Sequence, residues 1–139
     1  MKKLVIGYTQ GTFDLLHYGH IKLFERAKRR CDYLIVGVNS DRLVKEYKGI
    51  KTSQDEKTRK HLVSLIKCVD KVVVVDSLDK VSKVKQFKFK KCFIGSDWKG
   101  NSRWKQTKKD LAKIGVEVIF LPHTDGISSS ILREKNKKK

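Results

Sequence analysis

The feature of this sequence that most limits its fold is a regular alternation of short apolar runs with segments of helical spacing. The runs are "LVIGY" from Leu4, "YLIVGV" over Tyr33–Val38, "KVVVV" ending at Val75, "CFIG" over Cys92–Gly95 and "VEVIFL" over Val116–Leu121. Near-continuous apolar strands of this length are typical of a parallel sheet that is covered on both faces. The sequence therefore predicts an α/β fold with a doubly wound, parallel, five-stranded, Rossmann-like sheet.

Between the runs, apolar residues recur three or four positions apart, which predicts helices. The sets are Ile21, Phe24 and Ala27; Leu62, Leu65, Ile66 and Val69; Leu78, Val81 and Val84; and Trp104, Leu111 and Ile114. Ser53 followed by Glu56 has the capping-box pattern, so it predicts the start of the second of these helices. Gly115 predicts the end of the last one.

The length of 139 residues, with 39% hydrophobic and 35% charged residues, is typical of one globular domain. No repeat or Pro/Ser-rich linker divides the chain, so we expect a single domain over residues 1–132. The basic tail 133–139 is expected to be frayed, with anchoring to anionic surfaces as the alternative. We expect a cytoplasmic protein without a membrane span, because no apolar run reaches the length of a signal peptide core or a spanning helix.

Charge and cysteine usage narrow the functional classes further. The formal net charge of +18 suits a polyanionic partner, but a lysine-rich composition alone also produces it. A nucleic-acid-binding module is therefore an alternative, although no aromatic stacking stripe or recognised motif accompanies the charge. Cys31, Cys68 and Cys92 are odd in number and lack CxxC spacing, so we expect buried, reduced thiols and neither a disulfide framework nor a zinc knuckle.

Three loops that follow predicted strands have unusual compositions: "TQGTFDLLHYGH" after the first, "GSDWKG" after the fourth and "PHTDGISSS" after the fifth. In a doubly wound sheet, ligands bind at the carboxyl ends of the strands where the winding reverses. We therefore expect these three loops to converge on one site.

The first loop contains His17 and His20, which lie on one face if the turn between them is helical. A glycine-bearing loop that leads into a helix offers backbone N–H groups to phosphate, and the imidazoles add two further donors. Two alternatives stay open. A zinc pair would need further ligands, for which only His61 and His123 remain, and both histidines could instead simply cap the helix.

The segment "GTFDLLHYGH" resembles the GTFDxxHxGH signature of the cytidylyltransferases, a family of the HxGH nucleotidyltransferase superfamily. "GSDWKG" is similar to the family segment GDDWxG, and "HTDGISSS" is similar to its RTEGIST signature. The resemblance covers nearly the whole chain and is greatest to the short bacterial members that use glycerol 3-phosphate. It implies transfer of a cytidylyl group from CTP to an alcohol phosphate, with Mg²⁺ bound through the nucleotide, a homodimer, and a role in cell-wall or capsule synthesis.

The resemblance also implies roles for particular residues. His17, His20 and Lys48 would be catalytic, and Arg59, Lys67 and Asp14 would bind the acceptor substrate. No dedicated metal ligands are expected, since carboxylate clusters are absent from the sequence. The nucleotide would be bound by Gly11, Thr12, Phe13, Asp97, Trp98, His123, Thr124, Gly126, Ile127, Ser128 and Ser129.

Simpler roles remain open for several of these residues. Lys48 is one of many surface lysines, and Arg59 lies at helical spacing. Asp97 could cap a helix after a tight turn, and the serines from Ser128 to Ser130 could be ordinary N-caps. An adenylyltransferase on the same fold, and a noncatalytic relative, are also alternatives.

The chain departs from the family pattern mainly at the acceptor end. His123 replaces a family arginine. A guanidinium group that is always charged and donates two parallel hydrogen bonds is thus replaced by an imidazole that is mostly neutral near pH 7. Asp125 replaces a glutamate, Lys67 replaces an arginine, and Leu78 stands where relatives that use glycerol phosphate tend to have tryptophan. We therefore expect the same chemistry with glycerol 3-phosphate or a related polyol phosphate as acceptor, and these changes favour an alcohol other than glycerol 3-phosphate.

Overall fold

Strands and helices alternate along residues 4–95 and 102–122, which are the residues that the computed structural model describes. In chain order they are β1 (Ile6–Gly11), α1 (Tyr18–Lys28), β2 (Tyr33–Asn39), α2 (Asp41–Lys48), α3 (Glu56–Ser64), β3 (Lys71–Val75), α4 (Lys80–Phe87), β4 (Lys91–Gly95), α5 (Ser102–Lys113) and β5 (Glu117–Leu121). The five apolar runs of the sequence are thus the five strands.

The strands form one sheet in the order β3-β2-β1-β4-β5, and every neighbouring pair is parallel. The chain winds outward from β1 to β3 and then crosses back over β1 to β4. The winding therefore reverses between β1 and β4, and the doubly wound, five-stranded parallel sheet predicted from the sequence is confirmed.

Two apolar cores cover the two faces of the sheet. Alternate residues of β2 point to opposite faces, so that Leu34 packs with α1 and α3 while Ile35 packs with α4 and α5. On the first face the core includes Phe24 and Val63, which are fully buried. Burial on both faces is the reason that the strands read as continuous apolar runs.

The helices differ from the sequence prediction in several respects. Helix α2 was not predicted, because only Leu43 and Val44 of its residues are buried; its available signals are the N-cap Ser40 and the stop at Gly49. Helix α3 begins after Asp55, whose side chain accepts from the Thr58 N–H at 2.8 Å, so the predicted capping box two residues earlier is wrong.

Helix α3 also ends earlier than its apolar spacing predicts. It stops at Ser64, and Leu65 is 66% exposed rather than buried. The end predicted at Gly115 is confirmed, since α5 stops at Lys113 and Gly115 adopts a left-handed conformation with φ of 82°. The cysteines are unpaired thiols; Cys92 is buried, whereas Cys31 and Cys68 are only half-buried.

No helix within residues 4–95 and 102–122 is long and apolar enough to cross a membrane. The tail 133–139, the segment "GSDWKG" beyond Gly95 and the segment "HTDGISSS" lie outside the described residues.

Candidate active site

The loop between β1 and α1 leaves the sheet at the point where the winding reverses. Connections from β1 and β4 depart to opposite faces, so their carboxyl ends, Gly11 and Gly95, border a crevice. The loop ends at His17, where α1 begins. The start of α1 therefore lies at the edge of the sheet where the topology predicts a ligand, and the positive end of the helix dipole favours an anion there.

His17 and His20 form a reciprocal cap at the start of α1. The Gly19 N–H donates to Nδ1 of His17 at 3.0 Å, and the His17 N–H donates to Nδ1 of His20 at 3.3 Å. The two rings are stacked, with centroids 3.9 Å apart and planes 25° apart. The capping role and the pairing of the two imidazoles are thus present together.

This cap fixes which ring nitrogen carries a proton. A backbone N–H can only donate, so Nδ1 of each histidine must accept and is unprotonated. The ring proton of both residues therefore lies on Nε2. In both rings Nδ1 accepts from the backbone, and Nε2 is the nitrogen that can donate.

Burial, and then the neighbouring His17, lowers the pKa of His20 from 6.5 to about 3, while Asp14 opposes the shift. The unfolded chain therefore binds a proton at this residue between pH 6.5 and 3 that the folded chain does not. We expect this residue to lower stability as the pH falls below 6.5, by up to about 1.4 kcal/mol per pH unit. The variant His20→Gln should flatten that slope between pH 6.5 and 5, measured by urea unfolding.

The matched control is His61→Gln, because His61 is exposed on α3. Its unfolding free energy should follow the wild-type slope over the same pH range. A slope in His20→Gln as steep as in the wild type would show that His20 does not remain neutral in the folded protein.

The loop is fastened to the segment before α3 by Asp14. The carboxylate is 1% exposed and accepts from the Ser53 N–H at 2.8 Å and the Gln54 N–H at 3.0 Å. The Gln54 side chain in turn accepts from the Leu15 N–H at 3.1 Å. The predicted contact between Asp14 and the substrate stays a prediction; in this structure the carboxylate holds the loop.

Arg59 of α3 has no exposed surface and also holds this loop in place. Its Nη1 donates to the carbonyl oxygens of Thr12 at 2.8 Å and Asn39 at 2.7 Å, and its Nε donates to the Gln54 carbonyl at 3.0 Å. Its Nη2 pairs with Asp41 at 2.5 Å. A substrate contact stays a prediction, but the structure shows a structural role that the helical spacing of Arg59 did not reveal.

Within the loop, Phe13 and Leu15 adopt left-handed backbone conformations with φ of 52° and 54°. Non-glycine residues hold this conformation only where the surroundings impose it. Phe13 is 6% exposed; its ring packs edge-on to His20 and Phe24, with centroids 5.5 and 5.0 Å away. A Cβ atom at Gly11 would lie 2.9 Å from this ring, so the glycine makes room for Phe13.

A polar cluster that sequence analysis largely missed lies at the carboxyl ends of β1 and β2. Lys48 donates to the Thr12 hydroxyl at 3.4 Å, and that hydroxyl lies 3.2 Å from the Tyr47 hydroxyl. Asn39 donates to Tyr47 at 3.1 Å. The structure thus brings the predicted Thr12 and Lys48 together with Asn39 and Tyr47; polar residues at the ends of apolar runs were the available signal.

Lys67 does not join this group within one chain. It lies between α3 and β3, three residues before Asp70, whose N–H donates to the Leu34 carbonyl near the start of β2. Lys67 therefore lies near the amino ends of the strands, opposite the carboxyl ends where His17 is located. The remaining predicted residues, Asp97, Trp98, His123, Thr124, Gly126, Ile127, Ser128 and Ser129, lie outside the described residues.

No three His, Cys, Asp or Glu side chains in the described part of the chain are grouped so that they could hold a metal ion. The stacked rings of His17 and His20 use Nδ1 for the backbone, as the capping interpretation of the sequence required. Whether Mg²⁺ arrives with a nucleotide stays a prediction.

The family model described as Cytidylyltransferase-like matches residues 8–135 of the chain. Among curated relatives, the glycerol-3-phosphate cytidylyltransferase of Bacillus spizizenii is 40% identical over 135 residues, which cover 96% of each chain. The Bacillus subtilis protein of the same name is 37% identical over 97% of each chain. A third, from Staphylococcus aureus, is 35% identical over 97% of this chain and 95% of its own.

Solved structures agree with the fold. The lipopolysaccharide core biosynthesis protein from Thermoplasma volcanium superposes with a TM-score of 0.74 and 26% identity, over 90% of this chain and all of its own. Pantothenate synthetase from Thermus thermophilus superposes with a TM-score of 0.69, over 96% of this chain and 64% of its own. The latter is only 18% identical, so its likeness concerns the fold alone.

Proposed function

This chain belongs to the cytidylyltransferase-like family, and we propose that it transfers a cytidylyl group from CTP to a phosphorylated alcohol. A phosphate oxygen of the acceptor attacks the α-phosphorus of CTP and forms the new P–O bond. The bond from that phosphorus to the bridging oxygen breaks, and pyrophosphate leaves with its electron pair. The products are a CDP-alcohol and pyrophosphate, without a covalent enzyme intermediate.

The observation that carries this proposal is the reciprocal cap of His17 and His20. Both rings have their proton on Nε2, so each offers one donor to oxygens on which negative charge grows in the transition state. The low pKa of His20 keeps that imidazole from acting as a general acid, which suits an electrostatic role. Phosphoryl transfer needs mainly positioned donors and charge, because the chemistry requires no protein nucleophile.

The start of α1 and Lys48 supply the remaining favourable charge among the described residues. The positive dipole end of α1 favours an anion in the crevice. Lys48 is exposed at the end of α2 and is held by Thr12, so it lies beside the loop that leads to His17. Mg²⁺ would be bound through the nucleotide phosphates and would neutralise part of their charge.

We assign the acceptor as glycerol 3-phosphate or a related polyol phosphate. The curated relatives named for glycerol 3-phosphate support the first, and the changes at Lys67, Leu78 and His123 favour the second. The half-buried Leu78 lies just before α4, beyond the carboxyl end of β3, and this position supports a contribution to acceptor recognition.

The test is pyrophosphate release from CTP and from ATP, with Mg²⁺, across glycerol 3-phosphate, glycerol 2-phosphate, phosphocholine and several sugar-alcohol phosphates. We expect release from CTP with one of the polyol phosphates and little from ATP. Release from ATP alone would identify an adenylyltransferase instead. If no pair of triphosphate and acceptor releases pyrophosphate and the protein binds nucleic acid in a salt-sensitive manner, the basic nucleic-acid-binding module would be supported.

A further inference from the structure

A chain of hydrogen bonds runs through the sheet toward the polar cluster and begins at Tyr8, which has no exposed surface. The Tyr8 hydroxyl donates to Oε1 of Gln10 at 2.6 Å. Nε2 of Gln10 donates to the Ser77 carbonyl at 3.0 Å and to Oδ1 of Asn39 at 2.9 Å. The chain thus links the interior of β1 to the ends of β2 and β3.

The Ser77 carbonyl sets the direction of every bond that follows. A carbonyl can only accept, so the amide nitrogen of Gln10 must face it and also face Asn39. The same nitrogen can only donate, so the atom of Asn39 that it meets must be the oxygen. The amide nitrogen of Asn39 is therefore turned outward, toward Tyr47 and Thr12, where it donates over 3.1 and 3.5 Å.

The two hydroxyls at the end of the chain then have only one consistent arrangement. The Thr12 oxygen accepts from Asn39 and from Lys48, which occupies both of its lone pairs, so its own proton donates to Tyr47 over 3.2 Å. The Tyr47 oxygen accepts from Asn39 and from Thr12. Both of its lone pairs are used, and its O–H proton is the one that the network leaves for another acceptor.

Resting on the proposed function, we propose that the Tyr47 hydroxyl donates to a phosphate oxygen of the acceptor substrate, beside the Lys48 ammonium group. With both lone pairs taken, the Tyr47 hydroxyl can only donate, and an anionic phosphate oxygen is the strongest acceptor that an alcohol phosphate offers. The Lys48 Nζ lies 5.5 Å from the centre of the Tyr47 ring, so the two donors are adjacent.

The position of Tyr47 assigns it to the acceptor rather than to the nucleotide. The winding reverses between β1 and β4, and the general preference of ligands for such a reversal favours the β4 side of the loop for the nucleotide. Asn39, Tyr47 and Lys48 belong to β2 and α2, on the other side of β1. An acceptor held there lies across the loop end of β1 from the nucleotide, so the two substrates would occupy separate halves of one site.

The test compares Tyr47→Phe with wild type, because this change removes one hydroxyl and keeps the ring. Calorimetry measures the Kd for glycerol 3-phosphate and for the other acceptors without turnover, and steady-state rates give KM for acceptor and for CTP. Since a hydrogen bond to a charged group is lost, we expect acceptor Kd and KM to rise roughly 10- to 100-fold, with KM for CTP unchanged.

Tyr33→Phe is the matched control, because Tyr33 begins β2 at the opposite edge of the sheet. It should leave both constants unchanged. The proposal is overturned if Tyr47→Phe binds acceptors as wild type does, if only KM for CTP rises, or if wild type binds no alcohol phosphate. It is also overturned if the loss varies strongly with the alcohol, since Tyr47 would then contact the polyol.

A wild type that binds an acceptor but releases no pyrophosphate from any triphosphate would contradict the proposed reaction alone. In that outcome the calorimetric comparison still decides whether Tyr47 binds the acceptor phosphate. The two proposals therefore fail by different measurements.

Discussion

Replacing His17 with asparagine should lower turnover roughly 10²- to 10⁴-fold while the protein remains folded. Asparagine is a favourable N-cap residue, so its side-chain oxygen replaces Nδ1 as acceptor for the Gly19 N–H. The substitution removes the Nε2–H donor of the imidazole. The measurement is single-turnover pyrophosphate release at saturating CTP and acceptor, together with the thermal midpoint of each protein.

His20→Gln is the companion variant, because glutamine at the third helical position preserves the reciprocal cap. We expect a loss of the same order, and the double variant should lose less than the product of the two single losses, since the rings act as a stacked pair. His61→Gln provides the control. Near-normal turnover in either cap-preserving variant would mean that these histidines only cap α1.

Arg59→Met should lower the free energy of unfolding by about 3 kcal/mol. Methionine fills much of the space of the side chain but leaves the carbonyl oxygens of Thr12, Asn39 and Gln54 without their donor. It also removes the cation that pairs with Asp41. Urea unfolding followed by circular dichroism at pH 7 gives the value.

The same substitution at Arg42 is the control, because Arg42 also pairs with two acidic residues, Glu46 and Asp76, but lies on the surface. Exposed ion pairs contribute little, so Arg42→Met should unfold close to wild type. Equal effects of the two variants would contradict the structural role of Arg59.

The strands were predictable because burial on both faces leaves a local trace in the sequence. Every residue from Leu34 to Val38 is buried, and such a run reads as a strand without knowledge of its neighbours. Helix α2 left little trace, because two adjacent buried residues produce no helical period. The exposure of Leu65 follows from the end of α3 at Ser64, which the apolar spacing alone does not mark.

The site was predictable where it is local and not where it is assembled from distant segments. His17 and His20 cap a helix three residues apart, so their spacing alone predicted a shared face. Arg59 meets Thr12 across 47 positions, and Gln10 meets Ser77 across 67. Neither bond follows from residue type, because the strand order that brings these segments together is a property of the whole sheet.

The fastening of the loop by Asp14 and Arg59 has a consequence for the thermodynamics of substrate binding. Contacts within the protein hold the loop that contains Phe13 and Leu15, so it does not have to become ordered when CTP and the acceptor bind. Ordering a loop on binding carries an unfavourable entropy that weakens affinity. Here the entropic cost of ordering the loop arises once, when the protein folds, and does not recur in each catalytic cycle.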